Sequence, residues 1–391
     1  MIDFEFYSPT KIYFGHNKEE EIGAILKKFG YKKILFHYGM NSIKKTGLYE
    51  KVVKSLQEYK IDFVELSGVE PNPKIGLVRI GIDLAKENQV DMILAVGGGS
   101  VIDSAKAIAC GALVDFDPWL FNNHEKKPIN ALPIGVILTI SAAGSELSNS
   151  CVITNDELKI KNGFNDDLVR PKFVIMNPEL TFSVSKFQTA CGVVDILMHT
   201  LERYFTNTPN TEFSKNISEG LLKSVIASGK IAFENPTDYE ARATLMIASS
   251  FSHNGLTGLG SKIYFTVHKI EHEMSGMFDR ITHGAGLSVL FIAWAKWIYQ
   301  KDLTNWVRFA TNVMNVNPSN KTKEEVARCG IEELEKYFVS LEMPVTLDQL
   351  NVTLEDASIM TDHLIDRFGK VPGYVMLDKK ALLEIFNLAT K

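Results

Sequence analysis

Five residues in the second half of the chain have the types and spacing of a divalent metal site. Asp195 and His199 lie four residues apart, as do His268 and His272, and His283 follows eleven residues later. Residues at i and i+4 share one face of an α-helix, so each pair can present its side chains together. One such pair alone is typical of a structural role, but two pairs and a further histidine favour a metal centre. Imidazole nitrogens with one carboxylate suit Fe(II) or Zn(II) better than Mg(II) or Ca(II).

Five candidates for four ligand positions leave one side chain over, and spacing alone does not choose between His268 and His272. A spare imidazole near the metal could relay a proton. A Lewis acid at a carbonyl oxygen polarises the carbon and stabilises the alkoxide that develops during hydride transfer. The metal centre therefore predicts an oxidoreductase if the chain also has a nicotinamide site.

A glycine-rich turn is the candidate coenzyme site. The turn, GGGSVIDSAK, follows an apolar run at 92–96 and opens a predicted helix, with Asp103 about one turn inside it. Glycines let the backbone approach a ligand closely, and the amides of a helix start attract phosphates. The alternative is a plain tight turn, since the motif is neither GxGxxG nor a P-loop. The predicted contacts in it are Gly97, Gly98, Gly99, Ser100 and Asp103.

Two other loops follow predicted strands and could contact the same coenzyme. The loop LTISAAGSE contains Thr139 and Ser141, and an ordinary loop is the alternative interpretation. The turn YGMNS provides Gly39, Asn41 and Ser42 beside two lysines and lacks an acidic residue. An acidic residue near this position would hold the ribose of NAD(H), so its absence favours NADP(H). The alternative is that Lys44 and Lys45 form a solvated helix start.

The elements that must position these residues fall into two parts of the chain. The first ~180 residues alternate short β-branched runs with amphipathic helices, a pattern typical of a largely parallel sheet covered on both faces. After the segment NPELT the pattern becomes helical. A chain of 391 residues exceeds what one core normally supports. We therefore predict an α/β Rossmann-like domain over residues 1–180 and an all-α domain over residues 181–391.

The sequence pattern predicts six strands and ten helices. The predicted strands are Ile12–Phe14, Lys33–Tyr38, Asp62–Leu66, Met92–Val96, Ile134–Leu138 and Phe173–Met176. The predicted helices are Lys18–Phe29, Leu48–Tyr59, Ile75–Glu87, Val101–Cys110, Lys186–Thr206, Glu212–Ile231, Tyr239–Ser252, Leu287–Tyr299, Lys323–Ser340 and Leu354–Phe368.

Composition excludes several classes of protein. The net charge of −5 and the dispersed Lys and Arg residues make nucleic acid or an anionic membrane poor partners. No apolar run approaches the ~18 residues of a membrane span. The four cysteines form no CxxC motif, and the N-terminal stretch lacks the features of a signal peptide. We expect a cytoplasmic enzyme with a small-molecule substrate.

These motifs give the chain a resemblance to the iron-containing (group III) alcohol dehydrogenases, in the branch of NAD(P)H-dependent butanol dehydrogenases and aldehyde reductases. GGGSVIDSAK, the Asp195 and His199 pair, the three later histidines and the segment GVEPNP carry the resemblance, which covers essentially the whole chain. It implies the dehydroquinate synthase-like fold and a homodimer. It also implies metal ligands and coenzyme contacts, matched here residue by residue.

The resemblance separates the histidines that spacing could not. It implies Asp195, His199, His268 and His283 as metal ligands and His272 as the non-ligand histidine near the nicotinamide. It implies coenzyme contacts from the glycine turn and Thr139, a 2′-phosphate site at Gly39 and Ser42, and an assisting lysine at Lys159 or Lys161.

Two positions depart from the family pattern. Ala143 stands where a threonine usually precedes Gly-Ser-Glu, and Ser148 replaces a frequent asparagine. The first change predicts one hydroxyl contact fewer to the coenzyme.

The sequence therefore predicts a metal-dependent NAD(P)H alcohol dehydrogenase that mainly reduces small aldehydes such as butanal. The alternatives are a glycerol or polyol dehydrogenase, another enzyme of the same fold such as a dehydroquinate-type cyclase, and a non-catalytic nucleotide-binding protein. A cyclase would need more Lys and Arg around the metal, and a non-catalytic protein would not need a full ligand set.

Overall fold

The chain forms two compact units, each assembled from segments that are distant in sequence. The computed structural model describes residues 1–390. The α/β unit comprises Tyr7–Val184 and Pro236–Asn254. The helical unit comprises Met1–Phe6, Ser185–Asn235 and the chain from Gly255 onward. The predicted domains at 1–180 and 181–391 are continuous stretches of sequence, whereas these compact units are not. The compact units therefore do not test the predicted boundary, which stays a prediction.

The α/β unit contains a six-stranded parallel sheet and a separate antiparallel hairpin, β6 with β7. The sheet order is β1-β8-β5-β4-β2-β3. The strands are β1 (Lys11–Phe14), β2 (Lys33–Gly39), β3 (Asp62–Val69), β4 (Met92–Gly97), β5 (Ile134–Leu138), β6 (Ser150–Asn155), β7 (Ile160–Asn165) and β8 (Phe173–Met176). All six predicted strands are present, and the hairpin was not predicted. The predicted fold class, a parallel α/β part followed by a helical part, is confirmed.

The centre of the sheet explains why its strands are continuous apolar runs. Every residue of β4 and of β5 is buried. Alternate side chains of β4 enter different cores: Ile93 and Ala95 join one, whereas Met92 and Leu94 join the other. A strand covered on both faces needs apolar residues at every position, so its sequence shows no polar alternation.

The strand order places a topological switch between β2 and β4. The chain leaves β2 toward β3 on one side, then returns through a helix to β4 on the other side. In parallel sheets the crevice at the carboxyl ends of such strands is where nucleotides bind. This edge is where Gly39 and Gly97 end their strands.

The helices surround the sheet in one unit and make up the regular structure of the other. In the first part of the chain they are α1 (Ile22–Phe29), α2 (Ser42–Lys45), α3 (Leu48–Glu58), α4 (Ile75–Glu87), α5 (Gly99–Gly111) and α6 (Trp119–Asn122). Then follow α7 (Lys186–Tyr204), α8 (Glu212–Glu234), α9 (Tyr239–His253), α10 (Thr266–Met277), α11 (His283–Ile298), α12 (Leu303–Asn312), α13 (Lys323–Ser340), α14 (Leu354–Phe368) and α15 (Lys379–Leu388). Within residues 1–390, none of these helices has the length and apolar character of a bilayer span.

Candidate metal centre and coenzyme site

Helix α7 supplies the first two predicted metal ligands. Ser185 caps the helix by accepting a hydrogen bond from the Gln188 amide at 3.2 Å. Asp195 and His199 lie on its buried face, and His199 Nδ1 is 3.1 Å from Asp195 Oδ1. The i, i+4 spacing therefore brings the carboxylate and the imidazole together as predicted.

Helices α10 and α11 bring two more imidazoles to the same carboxylate oxygen. His268 Nε2 lies 3.7 Å and His283 Nε2 lies 3.8 Å from Asp195 Oδ1. Among the described residues, Asp195 Oδ1 and His268 Nε2 are buried without a hydrogen-bond partner. Buried polar atoms normally have partners, so this convergence needs an explanation. Three imidazole nitrogens and a carboxylate oxygen around one point fit a divalent transition metal.

The remaining histidine, His272, belongs to the same cluster. Its ring centroid is 5.4 Å from that of His283 and 6.3 Å from that of His268. It is half-buried, whereas His268 is buried. The ligand atoms of Asp195, His199 and His268 lie within 4.8 Å of one another. The structure therefore brings all five predicted residues together.

The electrostatics of the cluster differ sharply between neighbouring groups. Burial would raise the pKa of Asp195, but His199, His268 and His283 outweigh it and hold that pKa well below its usual value. Burial lowers the pKa of His199 to about 4. Burial would also lower the pKa of His268, but the carboxylates of Glu202 and Asp195 raise it to about 9. The field of the site thus favours an ionised Asp195, the form that a cation needs.

Two buried glutamates that the sequence reasoning missed contact the outer nitrogens of two histidines. Glu202 on α7 contacts Nδ1 of His268, and Glu271 on α10 contacts Nδ1 of His283. A sequence signal existed for Glu271, which lies between the two histidines of HKIEH. Glu202 follows His199 by three residues and so lies near its helix face.

The N-terminus of α10 has an unusual backbone conformation next to the cluster. Phe265 precedes the helix with φ 51° and ψ 52°, a left-handed conformation that is rare for a bulky residue. The Arg203 guanidinium lies 4.6 Å from the Phe265 ring centroid and donates to the His199 carbonyl at 2.6 Å. These contacts hold the turn beside the histidine cluster.

The glycine turn of the α/β unit is shaped by close packing. A Cβ at Gly98 would lie 2.2 Å from Ile140 Cγ2, and one at Gly99 would lie 3.1 Å from the Ala143 Cβ. The Thr139 amide donates to the Gly97 carbonyl at 3.1 Å, which joins the two loops. Ser100 lies in the first turn of α5. The predicted contacts therefore lie together at one sheet edge, where their backbone can approach a coenzyme.

The loop after β5 is held by α9, which explains why α9 belongs to the α/β unit. The Ala142 amide donates to Ser249 Oγ at 3.1 Å, and Ser250 Oγ donates to the Glu146 carboxylate at 2.6 Å. Gly144 has φ 64°, and a Cβ there would lie 2.4 Å from the Ser249 carbonyl oxygen. In the described part of the chain, Ser141 Oγ is buried without a hydrogen-bond partner. This predicted contact therefore has a hydroxyl available for a ligand.

Asp103 makes internal contacts below the glycine turn. Its carboxylate accepts hydrogen bonds from Ser145 Oγ and, at 3.0 Å, from the Val152 amide. Burial raises its pKa, while the nearby charges of Lys106 and Lys161 oppose the rise. Its role as a coenzyme contact stays a prediction.

The turn after β2 is exposed, in keeping with a contact to a ligand. Asn41 and Ser42 lie at the start of α2, and the Lys44 ammonium lies 4.9 Å from the centroid of the Tyr49 ring. Gly39 ends the strand, with space for a Cβ limited only by the Val69 carbonyl oxygen at 3.5 Å. The structure thus holds Lys44 against an aromatic ring and leaves Lys45 exposed.

The two candidate assisting lysines lie in different environments of the β6–β7 hairpin. Lys159 is exposed in the turn with φ 55°, whereas Lys161 is buried on β7. Lys161 also lies close enough to Asp103 for its positive charge to lower the pKa of the Asp103 carboxyl. The hairpin therefore favours Lys161 over Lys159 as a residue of this site.

Comparisons with known proteins give a consistent result along the chain. The family model described as iron-containing alcohol dehydrogenase matches residues 9–178. A second model, described as the C-terminal part of the Fe-containing alcohol dehydrogenase family, matches residues 189–390. Together the two models cover almost every element described above.

Individual relatives agree with these family models. The NADH-dependent butanol dehydrogenase A of Clostridium acetobutylicum is 41% identical over 389 residues, 99% of each chain. The NADPH-dependent aldehyde reductase YqhD of Escherichia coli is 31% identical over 353 residues, 89% of each chain. The crystal structure of NADH-dependent butanol dehydrogenase A from Thermotoga maritima is similar with a TM-score of 0.96 and 37% identity, covering 100% of this chain and 99% of that one.

Proposed function

The chain belongs to the iron-containing alcohol dehydrogenase family, and we propose on this basis that it is a metal-dependent aldehyde reductase using a reduced nicotinamide coenzyme. The proposed reaction converts a small aldehyde, reduced coenzyme and a proton into a primary alcohol and oxidised coenzyme. The observation that carries the proposal is the convergence of three imidazole nitrogens on the Asp195 carboxylate within 3.1–3.8 Å.

The proposed metal ligands are Asp195, His199, His268 and His283. Bound there, a divalent ion would supply a Lewis acid that polarises a carbonyl group. The Asp195 oxygen and the His268 nitrogen, which lack a hydrogen bond among the described residues, are the atoms that such an ion would satisfy. The ligand set accepts either Fe(II) or Zn(II).

His272 is the proposed source of the proton. It lies within the histidine cluster but is half-buried, so it can exchange protons with solvent more readily than the buried His268. An imidazole ionises near neutral pH and can supply the proton that the alcohol oxygen needs.

The proposed coenzyme site is the carboxyl edge of β2, β4 and β5. Backbone amides at the start of α5 would face the phosphates. The proposed contacts are Gly39, Asn41, Ser42, Gly97, Gly98, Gly99, Ser100, Asp103, Thr139, Ser141 and Lys161. The close packing of Gly98 against Ile140 and of Gly99 against Ala143 supports the proposal, because it brings the loop after β5 beside the glycine turn.

The choice between NADP(H) and NAD(H) rests on opposing observations. The turn after β2 has hydroxyl and ammonium groups and lacks a carboxylate, which supports NADP(H). Relatives that are 41% and 39% identical are named as NADH-dependent, whereas two that are 31% identical are named as NADPH- or NADP-dependent. We keep NADP(H) as the prediction from the turn, and kinetics with both coenzymes decide it.

The proposed function is tested by metal analysis and kinetics on one preparation. Protein purified without air is expected to contain one Fe(II) or Zn(II) per chain. With butanal, it is expected to oxidise NADPH or NADH, which is measured as a decrease in the near-ultraviolet absorbance of the reduced coenzyme. Removal of the metal by a chelator should abolish this activity. Failure to oxidise either coenzyme with any aldehyde would favour a non-catalytic nucleotide-binding protein, and oxidation of glycerol in preference to butanol would favour the polyol alternative.

A homodimer and a cytoplasmic location complete the proposal. The homodimer follows from the family resemblance, and light scattering of the purified protein measures it. Fractionation of the producing cells measures the location.

A further inference from the structure

Two carboxylates outside the proposed ligand set connect the three helices that carry the ligands. Glu202 on α7 contacts His268 on α10, and Glu271 on α10 contacts His283 on α11. Each contact therefore joins a carboxylate of one ligand helix to a histidine of the next.

Glu202 makes three contacts at the start of α10. One carboxylate oxygen accepts from the Val267 amide at 2.7 Å, and the other accepts from the His268 amide at 3.0 Å. The second oxygen also contacts Nδ1 of the His268 ring. The first amides of a helix need outside acceptors, and a negative charge is stabilised there. Glu202 thus fixes both the backbone and the ring of one ligand residue.

Glu271 makes a simpler contact in a fully buried position. One of its oxygens contacts Nδ1 of His283, and its side chain is 0% exposed. A Cβ at Gly286 would lie 2.9 Å from Glu271 Cγ, so the glycine provides the space for this carboxylate. The burial of a carboxylate is costly unless it is paired, and the His283 imidazole is a partner that compensates this cost.

The chemistry of imidazole connects these contacts to the metal centre. When Nδ1–H donates to a carboxylate, Nε2 is the nitrogen left to bind a metal. In both histidines Nε2 is the atom that lies near Asp195 Oδ1, at 3.7 Å for His268 and 3.8 Å for His283. The two carboxylates therefore select the donor atom and the ring orientation together.

We propose that Glu202 and Glu271 are positioning residues that set the metal affinity of the centre by orienting His268 and His283. This inference rests on the proposed function, because it assumes that the histidines bind a metal. Loss of such an outer carboxylate typically weakens metal binding about 10- to 100-fold.

The two glutamates are expected to respond differently to conservative replacement. Glutamine retains one acceptor oxygen, which can take the contact of Glu271 with His283. It cannot serve Glu202, where both oxygens accept backbone amides. Glu271→Gln should therefore keep near-normal affinity, whereas Glu271→Leu and Glu202→Gln should each weaken Zn²⁺ binding about 10- to 100-fold.

The experiment measures the Zn²⁺ dissociation constant of the full chain by competition with a chromophoric chelator, together with the melting temperature of the metal-free protein. The matched control is Glu219→Gln, a buried carboxylate of the same unit that binds Tyr204 and Arg308 instead of a histidine. The control should lose melting temperature but keep its Zn²⁺ affinity. If Glu202→Gln does not fold, the comparison of Glu271→Leu with Glu271→Gln decides.

The possible outcomes separate the two proposals. Wild-type protein that binds no Zn²⁺ would refute the proposed function. Wild-type binding with unchanged affinity in Glu271→Leu, or equal losses in Glu271→Leu and Glu271→Gln, would overturn the positioning role. A loss in the leucine variant that glutamine restores supports it, because a role in stability alone would not change the dissociation constant of the folded protein.

Discussion

The helical unit and the α/β unit each bury a cluster of charged side chains, but they treat its polar atoms in opposite ways. In the α/β unit, the fully buried Lys106 ammonium donates to oxygens of Ser145, Ser148 and Ser150 at 2.7–3.2 Å. In the helical unit, Asp195 Oδ1 and His268 Nε2 have no hydrogen-bond partner within residues 1–390. The first cluster is saturated from within the chain, and the second is not.

This difference distinguishes a structural cluster from a binding site. Buried polar groups are almost always satisfied, so a saturated cluster needs no ligand. Converging unsatisfied atoms cost free energy unless a ligand compensates them. The Lys106 contacts also show that the lysine of GGGSVIDSAK is used to hold the 145–150 loop, unlike the phosphate-binding lysine of a P-loop.

The largest expected effect comes from removing one of the unsatisfied imidazoles. His268→Ala should lower aldehyde reductase activity by at least about 10³-fold, because loss of the Lewis acid removes several kcal/mol of stabilisation. Metal content should fall in parallel, while the circular dichroism spectrum remains that of a folded protein. His363→Ala is the control, since that imidazole is exposed and contacts Glu273 on the surface. Full activity in a metal-free variant would contradict the proposed mechanism.

Substitution of Lys106 in the saturated cluster should lower the free energy of unfolding instead of the catalytic activity. Lys106→Met removes the three N–H donors that serve the surrounding serine oxygens and also the cation beside Asp103, so we expect a loss of about 3–5 kcal/mol in unfolding free energy. Asp195→Asn removes the carboxylate that His199, His268 and His283 keep ionised, so it should also lower the stability of the metal-free protein, but unlike Lys106→Met it should abolish Zn²⁺ binding. Urea unfolding measures both changes.

The control for the lysine is Lys336→Met, whose side chain is 69% exposed. Exposed substitutions of this kind usually stay within about 0.5 kcal/mol. The comparison between the clusters fails if Lys106→Met weakens Zn²⁺ binding, measured by chelator competition, as much as Asp195→Asn does.

The fold was accessible to sequence reasoning wherever burial dictates a strong pattern. The parallel strands were predicted because strands such as Met92–Gly97 are buried on both faces and so are apolar throughout. The β6–β7 hairpin was missed because its strands mix polar and apolar residues, as in KNGFN. Helices α12 and α15 are only ten residues long each, so their periodicity is short.

The cluster of Asp195 and the four histidines was predictable to the extent that helical spacing brings residues together. Spacing within α7 paired Asp195 with His199, but the approach of α10 and α11 depends on tertiary packing. Glu202 was missed because a glutamate in a helix is ordinarily solvated, and only the fold shows this one buried against His268. The assignment of α9 to the α/β unit likewise depends on its bonds to the 142–146 loop.

The pH dependence of metal binding is a third way to test the contrast. Because Glu202 and Asp195 outweigh burial and raise the pKa of His268 to about 9, Zn²⁺ must displace a proton from it at neutral pH. The apparent Zn²⁺ affinity should therefore rise about tenfold per pH unit from pH 7 and level off near pH 9. Competition with a chelator of known pH dependence measures the slope.

The same raised pKa makes a prediction about the metal-free protein. Protonation of His268 contributes folding stability that is fully present below the unfolded pKa of about 6.5 and is lost as pH rises through about 9.

The variant Glu202→Gln should shift the pH at which the Zn²⁺ affinity stops rising to a lower value, because one of the carboxylates that favours the protonated His268 ring is removed. A Zn²⁺ affinity that does not change between pH 7 and pH 9 in the wild-type protein would show that His268 is already neutral at pH 7.

The smallest expected effect concerns coenzyme choice at the exposed end of β2. If the turn binds a 2′-phosphate, Lys45→Ala should raise the KM for NADPH roughly 2- to 5-fold and leave that for NADH unchanged, because an exposed ion pair is worth about 0.2–1 kcal/mol. The effect should shrink in high salt, which screens exposed charges. Lys32→Ala is the control, since Lys32 is also exposed but precedes the opposite end of the same strand. Equal changes for both coenzymes would assign Lys45 to the shared part of the coenzyme. No change for either would remove the support that the turn gives to NADP(H).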